Sequence, residues 1–507
     1  MPRRPRRGTL GGRPRRRAGG AAMTGAPEPP AEIVETHVSV IALIGDRAFK
    51  LLKPVAMGFL DHRLRVDRLA ACRRETEVNR RFAPDVYLGV LDVAGEDGVP
   101  RDHLVEMRRM PASRRLSALL ATPEAPQRIR EVARAVAGFH REAPTSDRIA
   151  RAGSLEAVLG LWEEGLDQLG AIVPAVVPPE GIARARALSR AYLAGRVPLL
   201  ERRVAAGRIR DGHGDLLSDD VFCLADGPRV LDCLAFADRL RHGDVLGDIA
   251  FLAMDLEAHG HPALGALLLD EWGRCLGEDH PASLAHHYIA YRAHVRAKVA
   301  ALRAGQGDPG AGARARSLQE LSLRHLDRAQ VRMALVGGAP GTGKTTVARA
   351  IGEARGWEVI GSDETRKDRA GLPLSPADPG AFERGLYAPA VTGAVYEAMV
   401  RRARERLALG VDVVLDASWS DAGRRAAARA AARAAGARLV EIECRLDPAE
   451  AAARIMRRRA AGEGASDATP EIAARLAAAS DPWPEARALD TGRPQDLVRD
   501  EALRLAG

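Results

Sequence analysis

Lysine and asparagine are nearly missing from this chain. Its 76 basic residues include only five lysines (Lys50, Lys53, Lys298, Lys344 and Lys367), and Asn79 is its single asparagine. Where arginine serves almost everywhere, a retained lysine marks a place that needs a compact ammonium, a point charge unlike the planar guanidinium fork. Cysteine is sparse as well. Cys72, Cys223, Cys233, Cys275 and Cys444 are scattered without a C-x-x-C pair, which excludes a disulfide framework and fits reduced thiols in the cytoplasm. No apolar run reaches the roughly 18 residues a membrane span needs, so no membrane partner is expected.

Excess positive charge is confined to the start. The first 22 residues hold eight arginines and no acid, leaving 68 basic against 67 acidic residues in the rest. A near-neutral body carries no nucleic-acid footprint, so nucleic acid is not the expected partner. Residues 1–30, rich in Arg, Pro and Gly, are expected to form a disordered tail, with Met23 as an alternative start. The tail lacks the apolar core of a secretory signal. At 507 residues the chain exceeds one core, and two or three domains are expected.

The patterning divides the chain. Residues 31–53 predict a hairpin that turns at Gly45-Asp46, and 67–82 predict a helix. Strand-like segments follow near 86–93 and 103–110, and mostly amphipathic helix extends over 115–208 and 247–303. Residues 304–316 are rich in Gly, Pro and Ala, so 304–327 is expected to be a linker with a short helix at 317–327. Beyond it, strands are expected at 331–336, 357–361, 411–415, 438–444 and 486–490, alternating with helices, which implies a parallel sheet covered on both faces. The expected domains are 31–303 and 328–507.

In the second domain a strand enters Gly338-Ala339-Pro340-Gly341-Thr342-Gly343-Lys344-Thr345, followed by Thr346 and a helix. This is the phosphate-binding pattern G-x-x-x-x-G-K-[ST]. Its backbone N–H groups cradle phosphates at a helix N-terminus, the lysine reaches the β and γ oxygens, and the hydroxyl meets Mg²⁺. Asp363 follows the next strand, where a carboxylate can take a proton from a substrate hydroxyl; a helix cap is its alternative role. Arg366 can clamp the migrating phosphoryl group. Asp416 ends the third strand at the Walker-B-like position that supports Mg²⁺. Arg454, Arg457, Arg458 and Arg459 precede a Gly/Ser/Asp-rich stretch up to Pro470, expected either as a lid closing over the phosphates or as a solvated helix face. Trp419 is open to two roles, a stacking platform or a core aromatic.

On these residues, the stretch from 328 to 507 resembles small P-loop kinases such as gluconate kinases, zeta-toxin-like kinases and the kinase part of phage polynucleotide kinase. There an Asp-x-x-Arg after the second strand serves as base and phosphate clamp, which the resemblance carries to Asp363 and Arg366.

The first domain holds a second constellation. His213-Gly214-Asp215-Leu216-Leu217-Ser218-Asp219-Asp220 is followed twelve residues later by Asp232. A catalytic-loop Asp and a second Asp beyond a short hairpin are the layout of kinase sites. The loop resembles that of aminoglycoside and choline phosphotransferases, H-G-D-x-x-x-x-N, which implies Asp215 as base and Asp232 as metal ligand. Asp220 stands at the family's metal-binding Asn and still offers a hard oxygen. Leu217 replaces a family His. The resemblance makes Lys50 the phosphate-binding lysine, with Lys53 as competitor. It makes Glu75 that lysine's partner, with Glu77 as second choice, and Met107 to Met110 the hinge. His280, His286, His287 and His294 lack a coherent metal face. Arg292, Arg296 and Lys298 are expected on an amphipathic surface, with a substrate pocket as the alternative.

The order of the halves resembles a bacterial family that fuses an aminoglycoside-phosphotransferase-like domain to a P-loop kinase domain, often called bifunctional phosphotransferase/ATP-binding proteins or AAA family ATPases. Phe49-Lys50, Ala83-Pro84-Asp85-Val86-Tyr87-Leu88-Gly89, HGDLL and GGAPGTGKTT carry that resemblance. It implies an α/β and α+β multidomain fold: a bilobal protein-kinase-like domain, then a three-layer α/β/α P-loop NTPase domain with a parallel sheet. The expected activity is ATP- and Mg²⁺-dependent phosphoryl transfer to a hydroxyl of a small molecule, without implying aminoglycoside resistance. The rival expectations are an ATP-hydrolysing regulatory switch and a polynucleotide 5′-hydroxyl kinase.

Overall fold

The computed structural model describes residues 31–36, 38–57, 60–172, 175–371, 388–461 and 469–507. The expected disordered tail lies outside them. Chain contacts divide the protein into two units, residues 1–73 with 86–109, and residues 74–85 with 110–507.

The first unit is built on an antiparallel sheet ordered β1-β2-β3-β5-β4. Its strands are β1 (Glu32–Glu35), β2 (Ser39–Ile44), β3 (Arg47–Leu52), β4 (Tyr87–Ala94) and β5 (Pro100–Arg108). The predicted hairpin forms: Ile44 pairs with Arg47 across Gly45-Asp46. Gly45 alone takes a positive φ of 55°, as the first central residue of a II′-type turn does. Helix α1 (Arg65–Asn79) begins in this unit, where Arg68 forks onto Asp102 at 2.9 Å, and its residues from Arg74 belong to the second unit.

The second unit opens with helices. α2 (Ala125–Glu142) buries Ile129, Val132, Ala133, Val136, Ala137 and His140, a stripe at three- and four-residue spacing. α3 (Leu155–Gly170), α4 (Pro179–Ala194) and α5 (Val197–Ala205) follow, and then the short strands β6 (Ile209–Asp211), β7 (Val221–Leu224), β8 (Gly227–Val230) and β9 (His242–Asp244) flank the segment with Asp215, Asp220 and Asp232. α6 (Val245–Ala258) is buried almost all round, as its apolar sequence requires. α7 (Pro262–Leu276) and α8 (Ala282–Gly305) complete the bundle. The stretch read as a linker is corrected here. α9 (Ala311–Ala329) runs antiparallel to α8 and buries Ala315, Leu318, Leu321, Leu326 and Ala329 against it. The Gly/Pro content that suggested flexibility makes only the tight turn between the two helices.

The remaining sheet is parallel. Its strands are β10 (Arg332–Gly337), β11 (Glu358–Gly361), β12 (Val413–Asp416), β13 (Arg438–Arg445) and β14 (Arg487–Asp490), in spatial order β11-β12-β10-β13-β14. They lie close to the predicted positions. Side chains alternate between two cores, as strand geometry dictates. Ala334 and Val336 face α10 (Lys344–Arg355) and the C-terminal helix Gln495–Ala506. Met333 and Leu335 belong to the core that continues into the helical bundle. Helices on both faces, α12 (Pro389–Ala408) and α13 (Ala422–Ala434) among them, make the three layers, and among the described residues no helix is long and apolar enough to cross a membrane.

Candidate active sites

At the P-loop, β10 delivers the chain into a loop that only glycine can form. Gly338, Gly341 and Gly343 adopt φ of 136°, 85° and 84°. A Cβ on Gly338 would meet the carbonyl oxygen of Cys444 at 2.5 Å, and one on Gly341 would meet that of Ala451 at 2.5 Å. Ala339 and Pro340 complete the bend, and the Thr342 hydroxyl closes it by donating to the Ala339 carbonyl at 2.8 Å. Gly343 precedes α10 and supplies no side-chain cap, so the N–H groups at that helix end stay available to an anion. Thr346 and Thr345 line a groove of about 390 Å³ with Arg349 and Glu353.

Asp416, at the end of β12, is the neighbouring acid. Burial pushes its carboxyl above the usual range against the pull of Lys344 and a hydrogen bond with Thr345, while Asp363 and Glu364 raise it further. Its Oδ1 is buried without a hydrogen-bond partner among the described residues. A carboxylate oxygen in that position, beside a hydroxyl, fits a hard cation. Asp363 lies in the first turn of α11 (Ser362–Ala370), but Gly361 is the cap, so the capping alternative does not hold. Arg366, one turn on, donates to Asp363 Oδ1 at 2.6 Å and is itself buried. The structure thus brings together Lys344, Thr345, Asp416, Asp363 and Arg366.

Arg454 and Arg458 lie on α14 (Pro448–Ala460). Arg454 is pinned by Glu450 at 2.8 Å and the Thr491 carbonyl at 3.0 Å, and its Nη1 would be 3.6 Å from a Cβ on Gly343. Two nitrogens of Arg458 are buried without a partner among the described residues. The end of the expected lid, 462–468, lies outside the described residues. Thr491, which also donates to the Thr342 carbonyl at 2.7 Å, is a P-loop support that no motif announces. Trp419 is fully buried, with its indole N–H on the Leu415 carbonyl, so it is a core aromatic and not a stacking platform.

The other constellation is held by acids that the sequence reading missed. Asp248 on α6 accepts from the backbone N–H of His213 at 2.7 Å and of Gly214 at 2.8 Å, with His140 at 3.0 Å. Its pKa falls well below the usual carboxylate range despite burial, because His140 bonds to it and His140 and His213 add charge. Asp255, two turns along α6, takes both the N–H and the hydroxyl of Ser218. Asp248 and Asp255, at the two ends of the apolar run Ile249–Met254, were the available signal. Between these anchors lies Asp215, 3.7 Å from Arg296. Burial raises its pKa against Arg296, and Asp232 adds to the rise. Asp220 is raised well above the usual range, by burial first and then by Asp232, Asp215 and Asp219.

Asp232 sits at a left-handed φ of 62°. The next residue, Cys233, is gripped by Asn79, whose amide accepts from its N–H at 2.7 Å and donates to its carbonyl at 3.3 Å and to that of Glu75 at 2.9 Å. Accepting once and donating twice suits a carboxamide, whereas a hydroxyl has a single hydrogen to give. Lys50 lies on β3 of the first unit, opposite Val105. Lys53 donates to Glu35 at 2.5 Å and to the Thr36 carbonyl at 2.6 Å. Glu75 is buried, whereas Glu77 is exposed and pairs with Arg74. Met107 is buried near the end of β5. The histidines on α8 pack against aromatics: His287 accepts from Trp162 and His294 stacks on the same indole.

Comparisons with known proteins agree in part. Residues 333–482 match the AAA_33 family model, described as an AAA domain. Among solved structures, a choline/ethanolamine kinase family protein from Mesorhizobium loti aligns with 59% of this chain and 93% of its own, at 16% identity and a TM-score of 0.36. A gluconokinase from Sinorhizobium meliloti 1021 aligns with 35% and 93%, at 21% identity and a TM-score of 0.26. Scores of that size carry no argument, and the fold rests on the strand order and helix packing above. Uncharacterized protein Rv2004c of Mycobacterium tuberculosis is 40% identical over 479 residues, covering 94% of this chain and 96% of that one. Uncharacterized protein Mb2027c of Mycobacterium bovis matches to the same extent. At that identity over nearly the whole of both chains, the protein belongs to the family of these mycobacterial relatives.

Proposed function

We propose that this protein is an ATP-dependent phosphotransferase that acts on a hydroxyl of a small molecule, with the P-loop domain as one catalytic centre and the Asp215 loop as a second. The observation that carries the reading is the convergence of Lys344, Thr345, Asp416, Asp363 and Arg366 around a glycine cradle at a helix N-terminus. Backbone N–H groups of the loop and Lys344 hold the triphosphate. Asp363, steered by Arg366, takes the acceptor's proton. The acceptor oxygen bonds to the terminal phosphorus as the bond to the bridging oxygen breaks and ADP leaves. Lys344, Arg366, Arg454 and Arg458 face the charge that spreads over the moving group. Thr345 and Asp416 would hold Mg²⁺, which when bound neutralises the β and γ oxygens. In the other centre Asp215 is the base, and Asp220 and Asp232 are the metal-binding acids.

The test is a small-molecule acceptor screen with labelled ATP on wild type, Lys344→Ala, Asp363→Asn and Asp215→Ala. Lys344→Ala and Asp363→Asn are expected to lower P-loop-dependent transfer by roughly 10²-fold or more. Asp215→Ala should abolish only the transfer that survives Lys344→Ala. Acceptor-independent ATP hydrolysis that ignores Asp363→Asn would replace this reading with a regulatory switch. Transfer restricted to nucleic-acid 5′ ends would replace it with a polynucleotide kinase.

A further inference from the structure

The arginines of α8 form a track that the proposed chemistry leaves unused. Arg292, Arg296 and Arg303 are spaced four and seven residues apart, which puts them on one helix face. Arg292 is structural, since it donates to the Gly247 carbonyl at 2.9 Å and the Gly214 carbonyl at 3.2 Å and lies 4.8 Å over the Phe251 ring. Arg296 comes next, 3.7 Å from Asp215. Beyond Arg296 the surface is concave. A cavity of about 300 Å³ opens where α8 turns into α9, and its lining includes Arg296, Arg303, Asp308, Pro309, Gly310 and Arg314. Three arginines and one aspartate are thus in its wall. The guanidinium groups of Arg303 and Arg314 make no hydrogen bond or ion pair among the described residues.

An exposed arginine is ordinarily a solvated one, and the sequence favours that reading of this helix. The geometry argues otherwise here. The turn Gly307–Gly310 folds α9 back so that Arg314 comes to the same hollow as Arg303. One wall of the hollow, Arg296, is the residue that touches the proposed base. Guanidinium forks match the paired oxygens of carboxylates and phosphates, and they repel amines.

From this we infer that the acceptor at the Asp215 centre is an anionic alcohol, whose phosphate or carboxylate is held by Arg303 and Arg314 while its hydroxyl meets Asp215. This deepens the proposed function and rests on it for the catalytic role of Asp215. In the step, the acceptor hydroxyl loses its proton to Asp215, its oxygen bonds to the terminal phosphorus of ATP, and the bond to the bridging oxygen breaks to release ADP. Amino sugars and choline, which carry the opposite charge, are excluded as acceptors by the same arginines.

Two experiments on the full chain separate the parts. In the first, phenylglyoxal labelling of arginines is read by peptide mass spectrometry with a non-hydrolysable ATP analogue and Mg²⁺ present. Inorganic phosphate or malonate is expected to slow labelling of Arg303 and Arg314 by about tenfold, matching the loss of accessible guanidinium on ion pairing. Choline chloride at equal ionic strength should not, and the exposed Arg316 should label at the same rate throughout. Protection by phosphate alone assigns a phosphate ester, and protection by malonate alone a carboxylate. Absence of protection, or equal protection of Arg316, overturns the anion site.

In the second, Lys344→Ala protein is offered glycerol, glycerol 3-phosphate, glycerate and choline with labelled ATP. An anionic acceptor should be preferred, and the double substitution Arg303→Ser/Arg314→Ser should raise its KM by about tenfold without changing the KM for ATP. Preference for choline or glycerol overturns the inference. Protection in the first experiment without any transfer in the second leaves the anion site standing and removes Asp215 from catalysis.

Discussion

Asp412 shows how one half-buried side chain sets a pH dependence away from either site. It accepts from the Arg332 N–H at 2.6 Å, and burial lifts its carboxyl from 3.8 to about 6 against the pull of Arg332 and Arg196. An acid whose folded pKa is raised binds its proton more tightly in the fold than in the open chain. Its contribution to stability is therefore present at low pH and lost as pH rises from about 4 through about 6. Asp412→Asn keeps the acceptor and removes the charge. It is expected to gain about 1–2 kcal/mol at pH 8 and nothing at pH 4, seen as a melting-temperature rise at the higher pH only. Asn79 is a second case. Asn79→Ala leaves the N–H and carbonyl of Cys233 and the carbonyl of Glu75 without their partner. A loss of about 2–3 kcal/mol is expected in denaturant titration, with slower transfer at the Asp215 centre as Asp232 loosens. The rarity of asparagine was visible in composition, but the partner it grips, 154 residues away, was not.

At the scale of elements, the P-loop was legible because a local rule governs it. A strand, a run of glycines and a helix start follow one another in sequence, and the glycines are demanded by positive φ and by carbonyls at 2.5 Å. Gly341→Ala is expected to weaken nucleotide binding by about tenfold or more while the fold survives, measured by calorimetry with an ATP analogue, because the loop must shift to clear the Ala451 carbonyl. The helix α6 was less legible. Its apolar run announces burial, yet Asp248 and Asp255 read as interruptions of that run until the loop carrying Asp215 is folded onto them. The turn at 306–310 was misread for a related reason. Glycine and proline report that a helix stops, and only packing decides whether the chain beyond floats or folds back.

At the scale of the whole molecule, the helical lobe and the P-loop sheet of the second unit share one core. Arg196, fully buried after α4, donates through one nitrogen to the carbonyls of Gly195, Leu407 and Ala435 at 2.7, 2.7 and 2.9 Å. Ser283 adds a bond to the Gly410 carbonyl at 2.7 Å, where a Cβ on Gly410 would strike its hydroxyl. Arg196→Ala should therefore cost about 3 kcal/mol, since buried carbonyls on both sides lose their donor. In urea, tryptophan fluorescence is expected to show one transition for this unit in wild type and two in the variant.

Motif, order of elements and the alternation of strand side chains were determined by the sequence alone. Each depends on backbone conformation and on neighbours within a few residues, and there residue type constrains geometry directly. The tertiary structure alone decided that Asp416 is buried beside Thr345, that Trp419 lies in the core, and that Arg303 and Arg314 share a hollow. Those outcomes depend on groups far apart in the chain, and their energies exist only once packing has removed the water between them.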